Sequence, residues 1–228
     1  MRFYKNIRMS ADEGLHQKVF NEFLLLEESK NVSILILGAG EGAFDQRLID
    51  YGFDNIMSID VRDYYKAKKK KGVILKDLNR DFDDLGKFDY IFALEIIEHL
   101  ENQFHFIRNI EKLMNKDSKL LLSTPNIERK SLRIKFLLKN VIEFFSINDL
   151  KISGHINIIQ DHVFKWNLQE SDLNVQKEFY NREYFSTGSF WHGTYRFKIL
   201  FILTKSIGRL LPGTDGVIKI YLINKFSK

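Results

Sequence analysis

The chain has 228 residues, 44% of them hydrophobic, which is enough for one well-filled core and favours one large domain over two small ones. It contains no cysteine, so disulfides and thiolate metal sites are excluded, in agreement with the cytoplasmic location that we expect. Its net charge is +5, and it lacks both the apolar core of a signal peptide and the run of about 18 apolar residues that would predict a membrane span.

The predicted elements alternate between helix and strand. Apolar residues at helical spacing between 12 and 29 are followed by a buried strand that ends in the stretch ILILG. Four more strands are predicted at 55–60, 72–78, 88–94 and 118–125, with a short basic helix before 72–78 and a long helix over 95–114. Such alternation is typical of βαβ units and predicts a doubly wound, mostly parallel sheet with its binding site at the carboxyl ends of the strands.

Beyond Pro125 the alternation loosens. A basic amphipathic helix is predicted at about 129–145, a helix near 162–173, a strand at 174–180 and another helix in the tail. A last strand is predicted at 217–224. The two late strands would complete a seven-stranded sheet with one antiparallel edge strand.

A glycine-rich loop follows the first buried strand. In the stretch ILILGAGEGAF, Gly38, Gly40 and Gly42 would permit a tight turn and a close approach of the backbone to a ligand. Free amides at the start of the following helix favour an anionic group, either a pyrophosphate or an amino-acid carboxylate. The loop alone therefore fits a dinucleotide as well as a nucleoside that carries an amino acid.

Acidic residues at the ends of the next two strands separate these alternatives. Asp60 ends the second strand, where a carboxylate accepts hydrogen bonds from both hydroxyls of a ribose, and Asp77 ends the third. Together with the stretch FDYIFALEIIEHL at the fourth strand, this succession resembles the class I S-adenosylmethionine-dependent methyltransferases over residues 30–126. The resemblance implies a Rossmann-like fold, an enzyme, and S-adenosylmethionine as cofactor.

The same resemblance implies a cofactor role for eight residues. The glycine loop would line the methionine moiety, the end of the second strand would hold the ribose, and the end of the third strand would hold the adenine. At the end of the fourth strand, a residue would contact the cofactor through its own backbone. In that order the residues are Gly38, Ala39 and Gly40, then Asp60 and Val61, then Asp77 and Leu78, and finally Leu94. One position departs from the family, which usually carries an acid two residues before the first glycine, where this chain has Ile36. This departure supports an alternative interpretation, a non-catalytic module that only binds S-adenosylmethionine.

The stretch ALEIIEHLEN places two acids and a histidine beside the expected methyl group. Methyl transfer to a hydroxyl needs a base of near-neutral pKa, or a divalent ion that lowers the pKa of the acceptor. At i, i+3 and i+4, Glu95, Glu98 and His99 would share one helix face and suit magnesium or manganese. The pattern is similar to E-x-x-E-H in ubiquinone-pathway O-methyltransferases and in metal-dependent small-RNA 2′-O-methyltransferases. Without a metal, these residues would only cap and shape a helix.

A further histidine should come from beyond the fifth strand, and two alignments compete for it. Matching DHVFKWN to the D-H-x-F-E-W pattern of the small-RNA enzymes makes His162 the fourth metal ligand, after Glu95, Glu98 and His99, and makes RNA the substrate. Matching GHINIIQDHVFKWNLQESDLNV to bacterial glycan and small-molecule methyltransferases makes His155 the base. We prefer the second alignment because it covers more of the chain, and we predict His155, His99 and Glu95 as the catalytic residues. The other three histidines, His16, His105 and His192, have no predicted partner and are assigned to the surface or the core.

We therefore predict a single methyltransferase domain over 1–228, with a cofactor-binding half at about 30–126 and acceptor-binding or lid elements at about 127–215. The expected activity is O-methylation of a sugar or other small hydroxyl compound in surface-glycan (capsule or lipopolysaccharide) biosynthesis. The basic apolar segment at 129–140 would pack onto the core, with membrane contact as the alternative, or would form a lid over a lipid-linked or nucleotide-linked sugar. Nucleic acid is not expected as a partner, because the lysine run at 66–71 does not form a continuous basic track.

Overall fold

The computed structural model describes residues 3–68, 72–183 and 211–226. In this part of the chain the strands are β1 (Phe3–Tyr4), β2 (Ile7–Arg8), β3 (Ile34–Leu37), β4 (Ile56–Asp60), β5 (Ile74–Leu75), β6 (Phe88–Leu94), β7 (Met114–Pro125), β8 (Leu173–Tyr180) and β9 (Ile218–Lys225). The helices are α1 (Leu15–Leu24), α2 (Ala43–Asp50), α3 (Gln103–Lys112), α4 (Lys130–Lys139), α5 (Ile147–Ser153) and α6 (Asp161–Glu170), and Asp83–Leu85 and Ile97–His99 form 3₁₀ turns.

Seven of these strands form one sheet, in the order β5-β4-β3-β6-β7-β9-β8. The strands from β5 to β7 are parallel, whereas β9 runs antiparallel to both of its neighbours, β7 and β8. Parallel strands are covered by helices on both faces, which is why β3 and β6 read as nearly continuous apolar runs. The predicted doubly wound, mostly parallel seven-stranded sheet is confirmed, and its antiparallel strand is β9, beside the outermost strand β8.

Helices cover both faces of the sheet. Successive strand residues point to opposite faces, so that Leu35 packs in one apolar cluster with α3 and α6, and Ile36 packs in a second with α1 and α2. In the second cluster Phe23 is fully buried and contacts three aromatic rings, with centroids 4.8 to 5.3 Å away. The core of this three-layer arrangement therefore fixes β3 and α2, the two elements that flank the glycine loop.

The helix predicted over 95–114 is wrong in its first half. Glu95 follows β6 with a φ of 53°, a left-handed conformation that few residues other than glycine adopt. After it, Ile97–His99 form a single 3₁₀ turn. The α-helix begins only after Asn102, whose side chain accepts hydrogen bonds from two amides of the first turn at 3.0 Å each. The helix face predicted to carry both acids and the histidine is therefore not formed by these residues.

Other local predictions also differ from the structure. Residues 61–68 contain no helix, and the helix predicted at 129–145 ends at Lys139, because Asn140 takes a left-handed conformation with a φ of 51°. The helix predicted in the tail falls within 184–210, outside the described residues. Among the described helices, none is long and apolar enough to cross a bilayer.

Candidate active site

The glycine loop turns between β3 and α2 at the carboxyl edge of the sheet. Gly38, Gly40 and Gly42 have φ angles of 76°, 56° and 83°, which glycine adopts without the strain that a Cβ brings. A Cβ on Gly38 would lie 2.9 Å from the Ile96 side chain, and one on Gly42 would lie 2.7 Å from the Tyr65 ring. A Cβ on Gly40 would meet nothing within 4 Å. The loop is thus tightly packed at both ends and open in the middle, where a ligand can approach.

Asp60, at the end of β4, holds the open part of this loop. One of its carboxylate oxygens accepts a hydrogen bond from the Gly40 amide at 2.8 Å, and the other accepts one from the Arg62 amide at 3.1 Å. Each oxygen keeps a further lone pair. The carboxylate can therefore orient the loop and still accept hydrogen bonds from two ribose hydroxyls, the role predicted for it. Its neighbour Val61 is 62% exposed.

The other predicted cofactor residues lie at the ends of neighbouring strands. The strand register aligns the end of β3 with those of β4 and β6, and the end of β4 with that of β5. Asp77 and Leu78 follow β5 and Leu94 ends β6, so they leave the sheet at the same edge as the glycine loop. Leu78 is buried, whereas Asp77 is half-buried and accepts a hydrogen bond from the Asn79 amide at 2.9 Å. Contact of these residues with the cofactor itself stays a prediction.

A small open cleft with a cavity volume of about 40 Å³ lies against the glycine loop. Besides loop residues, it is lined by Ile36 and Leu94 and by three residues of the N-terminal segment, Arg8, Ser10 and His16. Sequence reasoning missed His16, because no motif joins the first helix to the loop. Burial lowers the pKa of His16 to about 4, with a smaller contribution from the positive charge of Arg47. The imidazole is therefore neutral at physiological pH.

We expect His16 to make the fold less stable in acid. Its pKa rises from about 4 in the folded chain to an ordinary 6.5 in the unfolded chain, so between these values the unfolded state binds a proton that the folded state does not. Stability is unaffected above pH 6.5 and falls as the pH decreases towards 4, by about 3 kcal/mol at most. Urea unfolding should therefore show that the free energy of unfolding decreases between pH 7 and pH 5 in the wild type. In His16→Phe this decrease should be about 2 kcal/mol smaller. The same loss in both proteins would contradict this assignment.

Glu98 is a fully buried carboxylate in the 3₁₀ turn after β6. Neither of its carboxylate oxygens makes a well-formed hydrogen bond to the described residues. Burial raises the pKa of Glu98 well above its ordinary value, and the Thr124 hydroxyl offsets only part of this rise. The carboxyl group therefore needs either a proton or a cation beside it, since an ionised and unpaired carboxylate is strongly disfavoured in the interior.

His99 and His155 come together beside this turn, with ring centroids 4.8 Å apart and ring planes at 79°. The backbone joins them, because the carbonyl of Glu98 accepts hydrogen bonds from the amides of the two residues after His155, at 3.0 and 2.9 Å. Nδ1 of His99 lies 3.2 Å from the Gly154 carbonyl oxygen, and Nδ1 of His155 lies 2.9 Å from the Phe144 carbonyl oxygen. A carbonyl only accepts, so each Nδ1 carries the proton of the neutral ring and each Nε2 keeps a lone pair. Burial lowers the pKa of both rings.

Glu98, His99 and His155 thus form a compact cluster of three possible metal ligands, which we call the acceptor-side cluster. One ligand atom from each lies within 4.8 Å of the others. One carboxylate and two imidazoles at this spacing are a donor set that fits a divalent cation, and a carbonyl on the second ring nitrogen is the usual support of a metal-binding histidine. A proton on Glu98 would also satisfy the cluster.

Two residues of the predicted metal set are not in this cluster. Glu95 is held by its own amide, which donates to Ser123 Oγ at 3.0 Å, and its left-handed backbone breaks the helical spacing on which the prediction relied. The pKa of Glu95 is raised by burial and by the nearby charge of Glu98. His162 lies in the first turn of α6 and is exposed. Of the predicted set of Glu95, Glu98, His99 and His162, only Glu98 and His99 lie in this cluster, together with His155, and metal binding there stays a prediction.

Comparison with known proteins decides the family. The family described as "Methyltransferase domain" matches residues 11–178, more than half of the chain. The chain belongs to this family. Two relatives of the methyltransferase are ubiquinone biosynthesis O-methyltransferases. The one from Rickettsia conorii is 29% identical over 139 residues, 56% of this chain and 48% of the relative. The one from Pelagibacter ubique is 28% identical over 109 residues, 45% of each chain. The methyltransferase thus spans about half the length of these curated relatives.

Solved structures share the fold of this methyltransferase. An S-adenosylmethionine-dependent methyltransferase from Archaeoglobus fulgidus superposes with a TM-score of 0.62 at 15% identity and covers 93% of each chain. The magnesium protoporphyrin IX methyltransferase of Synechocystis, with S-adenosylhomocysteine bound, gives a TM-score of 0.59 at 14% identity, over 93% of this chain and 84% of that one. Together with the family match, they confirm the predicted class I S-adenosylmethionine-dependent methyltransferase and its cofactor.

Proposed function

We propose that this methyltransferase transfers the methyl group of S-adenosylmethionine to a hydroxyl group of a small acceptor. The observation that carries the proposal is the buried Glu98 carboxyl beside two neutral imidazoles, at the end of the strand that borders the cofactor edge. In the transfer, a base takes the proton of the acceptor hydroxyl, the oxygen bonds to the methyl carbon, and the carbon–sulfur bond breaks to leave S-adenosylhomocysteine. His155 is the proposed base, because the Phe144 carbonyl fixes its Nδ1 and leaves Nε2 with a lone pair.

The acceptor-side cluster also fits a divalent ion. Glu98, His99 and His155 would be its ligands, and a bound ion would lower the pKa of the acceptor hydroxyl. This ligand set differs from the predicted one and changes the expected metal. Two carboxylates and one imidazole suit magnesium or manganese, whereas one carboxylate and two imidazoles suit manganese or zinc better than magnesium.

Two acceptor classes are proposed on different grounds. The Gly-His-Ile pattern at 154–156 is similar to bacterial glycan methyltransferases and supports a sugar-linked hydroxyl in surface-glycan biosynthesis. Both curated relatives are named for ubiquinone biosynthesis, which supports an intermediate of that pathway instead. A 2′-hydroxyl of RNA is a weaker candidate, because His162 does not join the acceptor-side cluster.

The release of S-adenosylhomocysteine by the purified protein, measured with each acceptor class, tests the proposal. We expect turnover with a sugar-linked or ubiquinone-pathway acceptor. RNA methylation that a chelator abolishes would contradict this preference. Binding of S-adenosylmethionine without turnover on any acceptor would favour the non-catalytic module, and no binding at all would contradict both interpretations.

An apolar and basic surface close to His155 supports contact with a membrane. Over residues 130–158, eight large apolar side chains are at least 46% exposed: Phe136, Leu137, Leu138, Val141, Ile147, Leu150, Ile152 and Ile156. The same segment has five basic and two acidic residues, a net charge of +3. Of the acidic residues, Glu143 pairs with Arg129 and Lys135, and Asp149 caps α5. Exposed apolar side chains among positive charges favour an anionic lipid surface, which we propose as the partner of this segment.

Vesicle sedimentation should show this partner directly. We expect the protein to bind vesicles that contain anionic phosphatidylglycerol and not vesicles of phosphatidylcholine alone, and to dissociate at high salt. Replacing Leu137 and Ile152, 83% and 85% exposed, with serine should weaken binding by about tenfold or more. Leu25→Ser is the matched control, because Leu25, directly after α1, is 80% exposed and lies outside this segment. Equal loss in control and double variant, or no binding at low salt, would contradict the proposal.

A further inference from the structure

The cleft beside the glycine loop has to hold the amino-acid end of the cofactor, which carries an α-ammonium and an α-carboxylate group. The family usually supplies an acid two residues before the first glycine, but this chain has Ile36 there, only 3% exposed. Ile36 packs in the apolar cluster with α1 and α2. Because an aliphatic side chain cannot accept a hydrogen bond from an ammonium group, an acceptor should come from another part of the cleft.

Four polar side chains line the cleft, and three of them are poor candidates for this acceptor. The Arg8 guanidinium only donates hydrogen bonds. Oε2 of Glu41 accepts hydrogen bonds from the Arg8 amide at 3.1 Å and from the Lys66 ammonium at 2.7 Å, so this carboxylate is already paired with a cation. Ser10 is exposed. His16 remains, and its Nδ1 is buried without a hydrogen-bond partner among the described residues.

His16 is held on a rigid part of the fold. It is the second residue of α1, and the neighbouring Leu15 and Val19 are fully buried in the core. Its ring packs edge-on against Phe44, which also lines the cleft, with centroids 5.4 Å apart. A polar ring that is fixed in place and short of a partner is preorganised for a ligand.

We propose that the His16 imidazole accepts a hydrogen bond from the α-ammonium group of S-adenosylmethionine and so replaces the acid that Ile36 displaces. The pKa of about 4 keeps the ring neutral at physiological pH, so one ring nitrogen always offers a lone pair. The hydrogen bond would join a charged donor to a neutral acceptor, and its loss should cost about ten- to a hundredfold in affinity. This inference rests on the proposed function only for the identity of the cofactor. It would therefore stand even if no methyl acceptor were found.

Calorimetry with three ligands tests this role without any turnover. S-Adenosylhomocysteine carries both charged groups. 5′-Deoxy-5′-(3-aminopropylthio)adenosine keeps the ammonium but lacks the carboxylate, and 5′-methylthioadenosine lacks both. Each would be titrated into the full chain, into His16→Phe, which keeps a ring without an acceptor, and into His16→Asn, which restores an acceptor oxygen. Ser10→Ala is the control within the same cleft.

We expect His16→Phe to weaken the first two ligands by about ten- to a hundredfold and to leave 5′-methylthioadenosine within about twofold of wild type. His16→Asn should recover part of the loss, and Ser10→Ala should change little. Binding of 5′-methylthioadenosine also reports that the variant is folded. Three results would overturn the assignment: equal weakening of all three ligands, no weakening of any, or a loss for S-adenosylhomocysteine that disappears when the carboxylate is removed.

Discussion

Replacing His155 with glutamine should lower kcat about 10²- to 10⁴-fold, while the Kd for S-adenosylmethionine stays within about twofold of wild type. The imidazole lies beside the buried Glu98 and is oriented by the Phe144 carbonyl, so a glutamine there would keep a polar side chain but lose the basic nitrogen. Single-turnover methyl transfer and cofactor calorimetry on the same preparation separate the two constants. His162→Gln is the matched control, because this histidine is exposed and lies outside the acceptor-side cluster. Full activity in His155→Gln would remove His155 as the base.

Metal measurements separate the role of His155 as a base from a role as a metal ligand. If the acceptor-side cluster holds a cation, metal-free protein should bind Mn²⁺ in calorimetry, a chelator should abolish turnover, and both His99→Gln and His155→Gln should lose the Mn²⁺ signal. If Glu98 carries a proton instead, turnover should be insensitive to the chelator and no Mn²⁺ heat should be seen. His155→Gln is expected to lose activity in both cases. Only the Mn²⁺ titration and the chelator experiment distinguish a bound cation from a protonated Glu98.

Replacing Asp60 with alanine should raise the Kd for S-adenosylmethionine about 100-fold or more. The variant loses the hydrogen bond that holds the Gly40 amide at 2.8 Å as well as the two bonds proposed to the ribose hydroxyls. Hydrogen bonds to a charged group are worth about 1.5–3 kcal/mol each, and the loss of two of them amounts to about 3 kcal/mol or more. Calorimetric titration measures the change directly.

Asp63→Ala is the matched control for this prediction, because Asp63 is an exposed acid of the same connection, three residues further along the chain. Its replacement should leave the affinity near that of wild type. Asp60→Asn should fall between the two, since the amide oxygen can still accept one bond from Gly40. An Asp60→Ala variant that binds the cofactor as tightly as wild type would show that the ribose is held elsewhere.

Sequence patterns predicted the parts of this protein that depend on local chemistry. Buried strands that end in glycine or in an acidic residue occur in the order that a doubly wound sheet requires. The sheet edge that carries the loop and Asp60 could therefore be predicted from the sequence. The non-helical segment after β6 could not be predicted, because the polar and apolar residues from Glu95 to His99 have the spacing that an α-helix would also have. Asn102 was the available signal, since asparagine is a strong N-cap and marks a helix that starts later.

The assembly of the site depended on contacts that no local pattern encodes. His155 joins Glu98 through backbone hydrogen bonds between segments more than 50 residues apart. His16 reaches the cleft because α1 packs on the same face of the sheet as Ile36. In both cases the histidine was visible in the sequence, but its partner was set by how the layers pack.

The position of β9 has a consequence for how the chain folds as it is made. The strand is the last of the sheet in chain order, yet it lies between β7 and β8 and is bonded to both. Until residue 225 has left the ribosome, β8 has no place in the sheet and the outer edge of β7 has no neighbour. A nascent chain therefore exposes an unpaired strand edge late in synthesis, the kind of surface that chaperones shield and that aggregates form on.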